Sequence, residues 1–134
     1  GGKLHFIAPG HVLGGLVGQV DLGRVLRDVP PELQHVVEVE TRTLSTILQV
    51  ARPGGLQVPP VIHYLSLDTE GSEYDILCNF PFNLCALLSV TVEHNYREPA
   101  RTQIRQLLES RGFSLDVSVE HDDFFLLAGY ERYL

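Results

Sequence analysis

Asp68 and Glu70 are the first residues of this sequence whose type and spacing could support chemistry. They follow the mostly apolar run VIHYLSL, within the string YLSLDTEGSEYDIL, and Gly71 and Glu73 come soon after them. Carboxylates at such a position can act as a base or bind a metal ion. The same residues also suit a solvated turn, in which Glu70 and Glu73 interact with the positive end of the next helix. The string is therefore compatible with the rim of an active site or with a plain turn.

A second polar cluster, Glu93, His94 and Asn95, follows the apolar run ALLSVTV. Mostly apolar runs of this length are typical of strands in parallel sheets, and such sheets bind ligands outside the carboxyl ends of their strands. If the two runs form neighbouring strands, both clusters meet at one edge of the sheet, which favours a site over a plain turn. His94 is compatible with a place in that site or with a structural role.

The elements that position these clusters alternate between strand and helix. From residue 61 onward the sequence predicts a strand, a helix, a strand, a helix and a hairpin, in the segments VIHYLSL, SEYDILCNF, ALLSVTVEH, EPARTQIRQLLESRG and FSLDVSVEHDDFFLLAGY. The first strand is expected to be covered on both faces, Ser72 to cap the first helix, and Gly112 to stop the second. This order indicates an α/β fold with parallel strands, right-handed crossovers and a C-terminal β-hairpin.

The upstream part of the chain is expected to be less regular. KLHFIA and HVVEVE predict strands, VDLGRVLRD a short helix, and TLSTILQVA a helix capped by Thr43, whereas PGHVLGGLVG and RPGGLQVPP interrupt regular structure. The glycines of GGLVG superficially resemble a dinucleotide-binding loop. Their spacing is not G-x-G-x-x-G and no strong helix begins there, so cofactor binding at these glycines is disfavoured.

Length and composition limit the class of protein. The 134 residues suit one domain over residues 1–134, and the formal net charge of −7 disfavours a nucleic-acid partner or an anionic membrane. No apolar run approaches the roughly 20 residues needed to span a bilayer. Cys78 and Cys85 lack the spacing of a metal site or a disulfide framework. They are expected to be reduced core thiols of an intracellular, cytoplasmic protein.

Several strings of this sequence together resemble the carboxyl-terminal part of FkbM-type methyltransferase domains. They are IHYLSLDTEGSEYDIL, LLSVTVEHNY, IRQLLESRGFSL and HDDFFLLA. The upstream string TRTLSTIL is similar to a segment that precedes the family's D-x-E-G-x-E motif, although Ser45 stands where that segment usually has Asp. The resemblance covers about residues 36–130. It implies a partial Rossmann-like class I methyltransferase fold, S-adenosylmethionine as cofactor, and a hydroxyl group of a small molecule or glycan as methyl acceptor.

The resemblance also implies roles for individual residues. Asp68, Glu70, Gly71 and Glu73 match positions of the D-x-E-G-x-E motif. Asp68 is then expected beside the transferred methyl group, with Asp68, Glu70 and Glu93 catalytic and Asp68 and Gly71 against the cofactor. Asp68, Glu93 and Asn95 are predicted to bind Mg²⁺ through hard oxygen ligands. The family's glycine-rich cofactor loop is not recognisable here, so the isolated chain is expected to bind S-adenosylmethionine poorly.

Two other functions compete with a methyltransferase. The chain could be a non-catalytic, partial methyltransferase-like domain that acts as a binding or dimerisation module and self-associates through an uncovered sheet edge at residues 61–68. A carboxylate-based hydrolase is disfavoured because Ser66 and Ser72 lack the G-x-S-x-G setting of a nucleophile. Asp122 and Asp123 fall on the predicted hairpin turn, where Asp is common for backbone reasons.

Overall fold

The fold was analysed in a computed structural model, which describes residues 2–8, 15–16, 35–50 and 59–134, with side chains described for 37–48 and 59–134. The chain forms two compact units. The smaller contains the described residues up to Arg42 and the loop Thr69–Ser72, and the larger contains those of Thr43–Asp68 and Glu73–Leu134.

The elements from residue 61 onward follow the predicted order. The smaller unit contains β1 (Gly2–Ala8), β2 (Gly15–Leu16) and β3 (His35–Thr41). The larger unit contains α1 (Leu44–Val50), β4 (Val61–Leu67), α2 (Glu73–Cys78), β5 (Ala86–Glu93), α3 (Ala100–Ser110), β6 (Phe113–Val119), β7 (Asp122–Leu127) and a 3₁₀ helix (Tyr130–Tyr133). The alternation of strands and helices is thus confirmed, and the fold is mixed α/β.

The smaller unit contains an antiparallel sheet in which β1 pairs with β2 and β3. The strands predicted for KLHFIA and HVVEVE are confirmed. The prediction that PGHVLGGLVG contains no regular structure is wrong at Gly15 and Leu16, because their backbones pair with those of Ile7 and Phe6. The helix predicted for VDLGRVLRD and the loop predicted for residues 52–58 lie outside the described residues.

The sheet of the larger unit has the described strands in the order β4–β5–β7–β6. β4 and β5 are parallel neighbours, in register from Val61 opposite Ala86 to Leu67 opposite Val92. β7 pairs antiparallel with β5 and with β6, which forms the predicted hairpin. The expectation that the two apolar runs form neighbouring parallel strands is therefore confirmed.

The core of the larger unit lies around β5 and β7. β5 is the most buried strand of the larger unit, and α3 contributes Ile104 and Leu108, which lie four residues apart on one face of the helix. Leu108 and Phe125 are at most 1% exposed. Each side chain of this kind stabilises the fold by about 1.5–3 kcal/mol relative to an exposed position. This packing fixes β5, and hence the position of the residues that follow it.

Three expectations about burial are wrong. β4 is not covered on both faces, because its Tyr64 side chain is 57% exposed. Cys78 is exposed at the end of the short helix α2, whereas Cys85 is buried, and both thiols are free. Glu73 does not face water: it is 6% exposed in the first turn of α2.

Local sequence signals mark the start of α1 and the end of α3. The Thr43 hydroxyl accepts a hydrogen bond from the Thr46 N–H at 3.2 Å, which confirms the predicted cap of α1. Gly112 follows α3 with φ +87°, a left-handed conformation that favours glycine and stops the helix. The Ser72 hydroxyl donates to Thr69 Oγ1 at 2.8 Å, and its predicted role as the cap of α2 stays a prediction. None of the described helices is long and apolar enough to cross a bilayer.

Candidate active site at the carboxyl edge of the parallel strands

The parallel pairing of β4 and β5 places Asp68 and Glu93 side by side. Each is one residue beyond the registered pair Leu67 and Val92. Neighbouring strands lie about 4.8 Å apart, so side chains at these two positions can reach a common ligand. Asp68 is exposed and Glu93 is partly buried, and both belong to the larger unit.

Within the larger unit, carboxylate oxygens of Asp68 and Glu93 lie within 4.8 Å of one another. Two oxygens that bind the same Mg²⁺ or Ca²⁺ ion are separated by no more than about 5 Å, because metal–oxygen distances are about 2.0–2.6 Å. The spacing of Asp68 and Glu93 is thus compatible with a shared cation. It is equally compatible with a shared hydroxyl group, which one carboxylate can deprotonate.

Asn95 supports this cluster through Glu93. Its side-chain amide nitrogen donates a hydrogen bond to Glu93 Oε2 at 2.6 Å. That bond restricts the orientation of the Glu93 carboxylate. The structure therefore brings the predicted residues Asp68, Glu93 and Asn95 to one edge, with Asn95 holding a carboxylate.

The loops that follow both strands contain left-handed backbone. Glu70 and Gly71 have φ values of +56° and +121°, and Asn95 and Tyr96 have +45° and +54°. Glycine adopts such angles freely, whereas each of the other residues carries a cost on the order of 1 kcal/mol. Both loops therefore depart from the strand direction immediately at the polar residues.

His94 is the residue that directly follows β5. It is 5% exposed, and its Nδ1 accepts a hydrogen bond from the Tyr96 N–H at 3.0 Å. The neutral ring must then carry its proton on Nε2, which lies 3.5 Å from Asp123 Oδ1 and makes no hydrogen bond with the described residues. Burial lowers the pKa of His94, although the charge of Asp123 partly opposes this effect. The geometry gives His94 a structural role in the turn after β5.

Asp123 anchors that region, a role that the sequence did not reveal. It is 4% exposed and receives two hydrogen bonds from Arg101, each 2.8 Å long, and another from Ser118. Burial alone would raise the pKa of the Asp123 carboxyl. The hydrogen bonds from Arg101 and Ser118, together with the charges of His94 and Arg101, outweigh burial, so this pKa lies below its ordinary value.

The hairpin turn contains only the first two residues of the string EHDD, and the two Asp residues belong to β7. Glu120 and His121 form the turn, with φ +52° at Glu120, and Asp122 pairs with Glu93 across the sheet. One sequence signal could have revealed the inward direction of Asp123. It precedes the buried Phe125 by two residues, and residues two apart in a strand share a face.

The chain was compared with models of protein families. The model described as the methyltransferase FkbM domain matches residues 3–115. The match begins upstream of residue 36, where the motif resemblance starts, and it includes the D-x-E-G-x-E string and the residues at the ends of β4 and β5. No curated protein and no solved structure matches the chain. Because the match covers most of its length, this chain belongs to the FkbM methyltransferase domain family.

Proposed function

We propose that this protein is an S-adenosylmethionine-dependent methyltransferase that methylates a hydroxyl oxygen of a small molecule or glycan. The observation that carries the proposal is the convergence of Asp68 and Glu93 at the carboxyl ends of adjacent parallel strands, with oxygens within 4.8 Å. Family membership supports the reaction class. In this proposal both units belong to one Rossmann-like domain of a cytoplasmic enzyme.

The donor set at this edge fits the groups that the reaction needs. Negative carboxylates suit the positive sulfonium centre of the cofactor, and their hard oxygens suit a divalent cation. S-adenosylmethionine supplies the methyl group when bound. In the proposed step the acceptor oxygen forms a bond to this methyl carbon while the sulfur–methyl bond breaks, and the hydroxyl proton passes to a carboxylate.

Each residue then has a specific task. Asp68, the exposed carboxylate, accepts the proton of the acceptor hydroxyl, and together with Gly71 it approaches the cofactor. Glu93, fixed by Asn95, orients that hydroxyl. The family resemblance implies a catalytic role for Glu70 as well. A correctly positioned base contributes about 10²–10⁴-fold to such a rate.

The reaction is tested by methyl transfer with the purified protein. S-adenosylmethionine carrying an isotopic label on its methyl group is offered at millimolar concentration, because weak cofactor binding is expected. A panel of small-molecule and sugar hydroxyl acceptors is supplied with it, and products are located by mass spectrometry. We expect label on oxygen together with an equal amount of S-adenosylhomocysteine. Label on nitrogen or carbon would contradict the proposed acceptor, and an absence of transfer to every member of the panel would contradict the proposed reaction class.

We further propose that Asp68 and Glu93 bind Mg²⁺, with Asn95 beside it. Mn²⁺ is a suitable probe because it takes the same oxygen ligands and broadens nearby NMR signals. The expected result is broadening of the Asn95 side-chain amide signals that Mg²⁺ reverses by competition. Unchanged Asn95 signals at millimolar Mn²⁺ would refute the metal site without affecting the proposed methyl transfer.

A second function, a binding or dimerisation module, is favoured by the exposure of β4. β4 is the edge strand of the described sheet of the larger unit, and Tyr64 is 57% exposed on it. Exposed edges can pair with a strand of a second copy. Ser66→Lys on β4 would then reduce association in sedimentation experiments, whereas Ser114→Lys on the other edge strand, β6, would not. A monomeric wild-type protein would exclude self-association.

A further inference from the structure

A cavity of about 570 Å³ lies at the end of the sheet opposite the candidate active site. Its lining includes Pro60 and Ala86, at the amino ends of β4 and β5, and Leu127 at the end of β7. β4 has seven residues, so the cavity is about 20 Å from Asp68. The cavity is thus separate from the proposed reaction and has a volume typical of small-molecule sites.

Two arginines distinguish this cavity from an ordinary surface depression. The Arg111 guanidinium lies over the Phe82 ring at 5.1 Å, and the Arg132 guanidinium lies over the Tyr133 ring at 5.0 Å. All four residues line the cavity. Stacking on an aromatic ring uses the face of a guanidinium, so its in-plane N–H donors stay available for a ligand.

The charge around these arginines is unusual for such an acidic chain. The formal net charge is −7, and Arg42, Arg101 and Arg105 each pair with a carboxylate. Among the residues that the structure describes, neither Arg111 nor Arg132 forms an ion pair, and no Asp or Glu lines the cavity. The described lining of the cavity therefore carries two positive side chains and no carboxylate side chain.

Most of the other lining residues are apolar, although Asn83 also lines the cavity. Leu84 is 48% exposed at the cavity, Phe113 lies deeper at 5%, and Leu127 adds further apolar surface. Cys85 also lines it, but burial raises the pKa of its thiol, which donates a weak hydrogen bond to the Pro81 carbonyl. Cys85 is thus a wall of the cavity and not a nucleophile.

We propose that this cavity binds a small organic anion in which a carboxylate or phosphate is attached to an apolar group. The two guanidinium groups bind the oxyanion through charge-assisted hydrogen bonds, and the Leu84 and Phe113 side chains cover the apolar part. The inference does not depend on methyl transfer, because it uses none of the residues at the carboxyl edge of the sheet.

The test compares three probes that share one ring. Phenyl phosphate and benzoate carry the two candidate oxyanions, and benzyl alcohol is the neutral control. We expect calorimetric titration to show at least tenfold tighter binding of one anion than of the alcohol, because a hydrogen bond to a charged group contributes about 1.5–3 kcal/mol. The tighter of the two anions identifies the oxyanion class. Equal affinity for all three probes, or no binding of either anion, would overturn the proposal.

Variants locate the binding. Arg111→Gln and Arg132→Gln are each expected to weaken anion binding about tenfold. Arg105→Gln, in the helix that ends just before Arg111 but paired with Glu109, is expected to leave binding unchanged. Leu84→Glu places a carboxylate beside the arginines at an exposed position, so it should abolish binding without unfolding the protein. Thermal unfolding of every variant separates lost binding from lost structure. Equal effects of Arg105→Gln and Arg111→Gln would refute the assignment.

Discussion

Replacement of Arg101 by alanine should destabilise the protein far more than replacement of Arg105, four residues along the same helix. Arg101 makes two hydrogen bonds of 2.8 Å to Asp123, whose side chain is 5% exposed. Removal of one partner of a buried ion pair leaves an uncompensated charge, which costs about 3–5 kcal/mol. Because the Arg101 side chain is itself 31% exposed, we expect the lower end of this range, about 3 kcal/mol.

Arg105 provides a matched control. It pairs with Glu109 at 2.8 Å, but both side chains are about half exposed, at 54% and 46%. Pairs of this kind contribute only about 0.3–0.5 kcal/mol. Both substitutions replace an arginine by alanine within α3, so the change in helix propensity is the same in the two variants.

The free energies of unfolding are measured by urea denaturation of the wild type and both variants. A difference of about 2.5 kcal/mol between the variants is expected, which is the difference between the two estimates above. A difference below about 1 kcal/mol would refute the interpretation of Asp123 as a buried anchor. The anchor matters for the candidate site because Asp123 is the register partner of Val92, the residue before Glu93.

Further predictions concern acid stability and two helix ends. The pKa of Asp123 is lowered in the folded protein, so its contribution to stability is present above the ordinary carboxyl pKa of about 3.9 and is lost as the pH falls through the folded value. Urea midpoints measured across this range should therefore fall with pH, and an equally steep fall in Asp123→Asn would contradict this origin. Thr43→Ala removes the hydroxyl that accepts from Thr46 and should cost about 1 kcal/mol, whereas Thr43→Ser should cost much less; equal losses in urea denaturation would exclude a capping role. Gly112→Ala should cost about 1–2 kcal/mol from its left-handed φ alone, since the added Cβ would meet Leu127 at an ordinary 3.7 Å, and an unchanged thermal midpoint would be inconsistent with that backbone strain.

The positions of Asp68 and Glu93 could be predicted because the local signals near them agree with one another. Two mostly apolar runs alternate with helical segments, and parallel strands joined by helices bring their carboxyl ends to one edge. Gly112 marks the end of α3 because only its left-handed backbone satisfies the turn that leads into β6. Signals of this kind depend on neighbours within a few residues.

The roles of Asp123 and Glu73 could not be predicted in the same way, because burial of a charged residue depends on distant partners. The sequence around Asp123 predicts a turn residue, because its partner Arg101 lies 22 positions earlier in the chain. The sequence predicts that Glu73 faces solvent at the start of a helix, yet the Glu73 side chain is buried in α2. The exposure of Tyr64 likewise could not be predicted, because it depends on which distant parts of the chain cover that face of β4.

The most direct test of the central proposal is the turnover number for methyl transfer of Asp68→Asn compared with that of Asp116→Asn. Both substitutions replace an exposed Asp by its neutral isostere, but Asp116 lies on β6, in the strand at the opposite edge of the sheet. We predict that Asp68→Asn lowers turnover by at least about 100-fold, as loss of a positioned base does, and that Asp116→Asn leaves it unchanged. Near-wild-type turnover of Asp68→Asn, with wild-type stability in both variants, would remove Asp68 from the reaction and contradict the proposed site.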